Sequence, residues 1–116
     1  SLDWRSADLA RSQKARIPSE PGLYVIRRVI RVLGLPVPQS IEYVGRTKSL
    51  RRRFLEHINP TTEHNQRLLE IAWSNKLEFW FAKAPVEELV GLEKILIERL
   101  RPATNVIDNK GEKHDT

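Results

Sequence analysis

From Gly22 the chain reads LYVIRRVIRV, a β-branched and aromatic run, and IEYVG resumes that character after LGLPVPQS, a stretch with one Gly and two Pro. Past Gly45 the apolar period lengthens from two to 3.6, with Leu50, Phe54 and Ile58 at i, i+4 and i+8. This switch constrains the fold more than any other feature. A period-two segment buries one face only as a strand, and a 3.6-period segment only as a helix. The simplest arrangement is an antiparallel hairpin with a long tip at 31–40, followed directly by a helix over about 50–58.

The rest of the chain extends the pattern. Asn59-Pro60 ends the first helix, Thr61 or Thr62 caps a second over about 62–73, and LEFWFA at 77–82 is a third strand. Pro85 opens a last helix over about 86–100, which Pro102 stops. The expected class is α+β, with a three-stranded antiparallel sheet from about 22–32, 40–45 and 77–82 and three helices packed around it. Residues 1–17 are expected to be a polar extension with a short surface helix over 6–16 capped at Ser6. Residues 18–107 form the domain, and 108–116 a flexible tail.

At 116 residues the sequence suits one domain. Lys plus Arg is 20 against 15 for Asp plus Glu, a net charge of +5 with a pI near 9.9, which favours a polyanionic partner. Cysteine is absent, so disulfides, thiolate metal sites and a cysteine nucleophile are excluded. No apolar run approaches the roughly 18 residues of a membrane span, and no signal-peptide core opens the chain. The expectation is an intracellular protein without a membrane partner.

Three features do not fit a plain core. On the last helix, Leu89, Leu92, Leu96, Ile97 and Leu100 form an apolar arc that includes Glu93. An inward carboxylate needs a cation, hydrogen-bond donors, a metal ion or a raised pKa; a boundary Glu paired with a nearby Arg is the ordinary alternative. Second, Arg46, Lys48, Arg51, Arg52 and Arg53 crowd the start of the first helix. Three consecutive positions spread over about 200° of helix surface, so Arg53 and His57, at i and i+4, share a flank while Arg51 and Arg52 point elsewhere, available to phosphates. Third, the only two tyrosines, Tyr24 and Tyr43, each sit in a strand within a glycine tripeptide. Aromatic β-packing accounts for either one alone.

Together these residues resemble the GIY-YIG nuclease family. Its first motif appears as Gly22-Leu23-Tyr24 and its second as Tyr43-Val44-Gly45. Arg53 follows Tyr43 by ten residues and His57 by four more, Glu93 matches the family's metal-binding glutamate, and Asn105 matches the asparagine that often follows it. The interval from Tyr24 to Tyr43 is longer than the family's usual ten or so residues, because RVLGLPVPQS extends the hairpin tip.

The resemblance implies a metal-dependent DNA endonuclease domain. One divalent ion, Mg2+ or Mn2+, sits on Glu93, and Arg53 stabilises the transition state. Tyr24 takes a proton from the attacking water, Tyr43 orients that water or a phosphate oxygen, and His57 orients the tyrosine or touches phosphate. Arg46, Lys48, Arg51 and Arg52 are expected on DNA phosphates, while Gly22, Gly45 and Asn105 support the site. Many family members attach this module to a DNA-binding or substrate-selecting domain, so an accessory domain or protein is an expected partner. The competing reading is a non-catalytic nucleic-acid-binding module that retains the fold.

Overall fold

The computed structural model describes residues 2–59 and 76–103. Strands β1 (Arg5–Asp8), β2 (Gly22–Val32), β3 (Leu35–Thr47) and β4 (Lys76–Lys83) form one antiparallel sheet in the order β1-β4-β2-β3. Helix α1 (Leu50–Ile58) follows β3 directly, and helix α2 (Leu89–Leu100) follows β4 after a 3-10 turn at Val86–Glu88. The α+β class and the pairing of the two tyrosine strands are as expected. The expected helix at 62–73, Asn105 and the tail at 108–116 lie outside the described residues.

Two expectations are corrected. The sheet has four strands rather than three, because Arg5–Asp8 pairs with β4 from Arg5↔Phe81 to Asp8↔Glu78. No helix spans 6–16: Ser6 lies in that strand, and Arg11–Arg16 is a 3-10 helix. The outer edge of β4 offers a row of backbone donors and acceptors, and satisfying them outweighs the weak local preference of a short polar segment for helix. Residues expected as an extension thus complete the sheet.

The long hairpin tip is also not a loop. β3 begins at Leu35, and Leu33-Gly34 alone make the turn, both with positive φ (52° and 87°). Pro36 and Pro38 are tolerated because β3 is an edge strand, where every second N–H points away from the sheet. Register breaks between Ile26 and Val29 make Glu42 the extra residue of a bulge on β3.

The two helices cover opposite faces. Tyr24, Ile26, Tyr43, Phe79 and Phe81 pack with Ile17 and with Leu50 and Phe54 of α1, while Leu23 packs with Ala84, Leu89 and the α2 residues Leu92 and Leu96. Leu50 and Phe54 are fully buried, each contributing about 1.5–3 kcal/mol of apolar transfer. Ser49 caps α1, its hydroxyl accepting from the Arg52 N–H at 3.4 Å. Arg101, in the left-handed region at φ 49°, ends α2, and Pro102 follows. Among the described residues no helix is long and apolar enough to cross a membrane.

Candidate active site

Tyr24 stands at the centre of one half of the site. Its strand partner is Gly45, and a Cβ at position 45 would lie 2.7 Å from Tyr24 Cε2, so only glycine leaves room for the ring. Gly22 answers a similar demand, since a Cβ there would press on the Ala82 carbonyl and lie 2.8 Å from Leu50 Cδ1. Both motif glycines therefore exist for close approach. The Tyr24 ring stacks on Phe79 at 5.2 Å, and its hydroxyl shares a 3.0 Å hydrogen bond with His57 Nε2. Tyr43 closes the cluster, its ring 5.9 Å from Tyr24 and 5.7 Å from His57. Burial separates the tyrosines, with Tyr24 at 0% exposure and Tyr43 at 8%.

Arg53 lies one turn before His57 on α1, its side chain 16% exposed and its Nη1 donating to Glu56 Oε1 at 2.8 Å. The α1 face of the sheet thus carries Tyr24 and Tyr43, with His57 and Arg53 on the helix that covers it.

Glu93 belongs to the other face. It is 4% exposed, as the apolar arc required, and its Oε1 accepts from Arg46 Nη1 at 2.5 Å. Arg46 is the strand partner of Leu23, which packs under α2, so Arg46 projects to the α2 side while Gly45 and Tyr43 project to the α1 side. Both halves meet on β3, an edge strand of the sheet.

The four cations expected on phosphates separate into two kinds. Lys48 and Arg52 are exposed, Arg52 with Glu56 at 3.9 Å. Arg46 is held on Glu93, and Arg51 ties α1 to the preceding segment, its Nε donating to the Ile17 carbonyl at 2.7 Å and its N–H to the Pro18 carbonyl at 3.0 Å. Sequence periodicity spread these arginines around a helix without showing that backbone carbonyls stood beside one of them. It also missed Glu42, which is fully buried next to Tyr43 and accepts from the Ser40 hydroxyl. In an alternating strand Glu42 reads as a solvent position; the bulge that turns it inward leaves no local signal.

Glu93 offers hard carboxylate oxygen, and no group of three or more His, Asp or Glu stands ready to hold a metal among the described residues. That donor set suits Mg2+, which is bound through one or two carboxylates while waters and substrate phosphate fill the remaining positions.

The family model described as the GIY-YIG catalytic domain matches residues 20–106. UvrABC system protein C of Prochlorococcus marinus is 31% identical over 99 residues, 84% of this chain, and that of Thermotoga petrophila 34% identical over 89 residues, 77% of this chain. Each alignment covers 14% of the relative, so the chain spans about one seventh of their length. Among solved structures, the magnesium-bound GIY-YIG N-terminal endonuclease domain of UvrC from Thermotoga maritima superposes with a TM-score of 0.54 at 27% identity, covering 82% of this chain and 93% of that one.

Proposed function

We propose that this chain, which belongs to the GIY-YIG catalytic domain family, is a metal-dependent DNA endonuclease domain in which 18–107 is the catalytic unit and the strand at Arg5–Asp8 braces its sheet. The observation that carries this reading is a carboxylate held at 4% exposure inside an apolar arc, against the strand that also bears Tyr43. Burial of that kind is costly unless the group has a use or a partner. The GIY-YIG domain of Thermotoga maritima UvrC is bound to magnesium, its catalytic cation, and the same ion suits Glu93.

In this reading the two halves of the site cooperate around the edge of β3, with Glu93 reaching the scissile phosphate from one side and Tyr43, His57 and Arg53 from the other. Glu93 would hold the divalent cation, which when bound would supply charge neutralisation to the phosphate and the departing oxygen. We assign the role of base to Tyr43 rather than Tyr24, since the group that takes a proton from water must touch that water and Tyr43 keeps the greater exposure. The water oxygen bonds to phosphorus and the phosphodiester P–O bond breaks, while the water proton passes to the Tyr43 oxygen as its own hydroxyl proton goes to solvent, and the leaving oxygen takes a proton from solvent. Tyr24 and His57, joined at 3.0 Å, fix the Tyr43 ring from behind. Arg53 turns donors toward the charge that develops on the non-bridging oxygens. Lys48 and Arg52 take flanking phosphates, and Asn105 is assigned a supporting role by resemblance.

Because the relatives are far longer, substrate choice is assigned to a further domain or protein, acting on DNA within the cell. The Arg46–Glu93 contact favours one competing reading, a structural ion pair in a non-catalytic nucleic-acid-binding module. A cleavage assay with Mg2+ on duplex, flap, branched and single-stranded DNA separates the two. The nuclease reading expects cutting by the parent and its loss in folded Glu93→Ala; the module expects binding by both and cutting by neither.

A further inference from the structure

Val29↔Lys76 is the last rung joining β2 to β4 among the described residues. Beyond it, β2 and β3 run on alone as a two-stranded ribbon, ending in the Leu33-Gly34 turn. The ribbon's apolar residues face solvent: Val32 is 51% exposed, Leu35 65% and Leu33 104%. Leu33 moreover has φ 52°, the left-handed backbone that this kind of two-residue turn fills with Asn, Asp or Gly. A bulky side chain in that conformation costs stability, and full exposure returns nothing to the fold. Among the described residues nothing covers it, which leaves it open to a partner.

Charge says what kind of surface it meets. No acidic residue occurs between Glu20 and Glu42, whereas Arg27, Arg28 and Arg31 all fall there. Arg27 is held by Glu78 at 2.7 Å, but Arg28 and Arg31 have no carboxylate partner among the described residues. Arg31 lies beside the tip, its Nη1 donating to the Gly34 carbonyl at 3.3 Å.

We propose that this ribbon is a DNA-groove arm, with Arg31 on a bordering phosphate and Leu33 packed against the base edges. A two-stranded ribbon fits the roughly 12 Å major groove, where the thymine methyl offers an apolar side chain a surface to pack on. The root of the same hairpin carries Tyr24 and Tyr43, so the inference rests on the nuclease reading for what lies at that end. Nine positions of strand from Tyr24 to Leu33 span roughly 30 Å, about nine base pairs of duplex. The arm therefore grips DNA close to one helical turn from the bond that is cut, and acts as a ruler.

Leu33→Asn tests this with opposite signs. Asn suits the turn, so the thermal midpoint should equal or exceed the parent's, while the Kd for a 40-base-pair duplex rises about tenfold or more. Hydroxyl-radical protection about nine base pairs from the cut should disappear, and Arg31→Ala should lower the salt slope of binding by about one. Unchanged affinity and footprint in Leu33→Asn overturn the arm, also where Leu33 proves to hold anionic phospholipid vesicles instead. Weaker binding with that distant protection intact overturns its placement. A parent that cuts nothing but keeps a Leu33-dependent footprint removes the nuclease reading and leaves the arm standing.

Discussion

Arg46 Nη1 lies 2.5 Å from Glu93 Oε1, joining the edge strand that carries Tyr43 to the helix that covers the opposite face of the sheet. The guanidinium gives a nearly buried carboxylate a charged hydrogen-bond donor. A cation placed on Glu93, as proposed, would share that carboxylate with the guanidinium.

Arg46→Ala should therefore destabilise the metal-free protein by about 1.5–3 kcal/mol, since a nearly buried carboxylate loses a charged hydrogen-bond donor. Mg2+ should raise the thermal midpoint of this variant more than that of the parent, because an ion that binds only the folded state stabilises it by mass action. Differential scanning fluorimetry across a Mg2+ titration checks it. An equal response in both proteins would show that Glu93 is not where the ion sits.

Cleavage should depend on the two tyrosines unequally. Tyr43→Phe removes the proposed base and should slow single-turnover cleavage at least 100-fold, whereas Tyr24→Phe keeps its stack on Phe79 and should slow it less. Arg53→Ala should cost about 100- to 1,000-fold, the usual effect of losing one transition-state donor. Circular dichroism verifies folding in each case. Equal losses in the two tyrosine variants would return the role of base to the Tyr24–His57 pair.

Glycine variants should separate close approach from backbone freedom. Gly45→Ala drives a methyl into the Tyr24 ring and should cost about 1–3 kcal/mol or more in urea unfolding. Gly91→Ala, on α2 with nothing within 4 Å of the added carbon, should instead stabilise the protein by about 1 kcal/mol. A neutral Gly45→Ala would mean that the tyrosine strands do not approach as described.

Salt titration of DNA binding should distinguish the cations. Lys48→Ala should lower the slope of log K against log salt by about one, and Arg52→Ala by somewhat less because Glu56 lies 3.9 Å away. Arg51→Ala should leave the slope nearly unchanged and lower the thermal midpoint, as its guanidinium is bound to the Ile17 carbonyl.

The sequence by itself determined the elements whose signals are local. The β-branched and aromatic run LYVIRRVIRV, period 3.6 from Leu50 to Ile58 and the stop at Pro102 are each set within a few residues, and each recurs in the structure. It also determined that Glu93 would point inward, because a helix fixes side-chain direction every 100° or so. What only the tertiary structure decided depends on partners distant in the chain. Arg5–Asp8 became a strand because β4 had an open edge, and the tip at Leu33-Gly34 tightened because two long strands zipped to their ends. Glu42 turned inward at a bulge, and Arg46 met Glu93, 47 residues away, because Arg46 alternates to the face opposite Tyr43 and Gly45. Local sterics fix the direction of a side chain, but what stands in that direction is decided only when the sheet and its covering helices assemble.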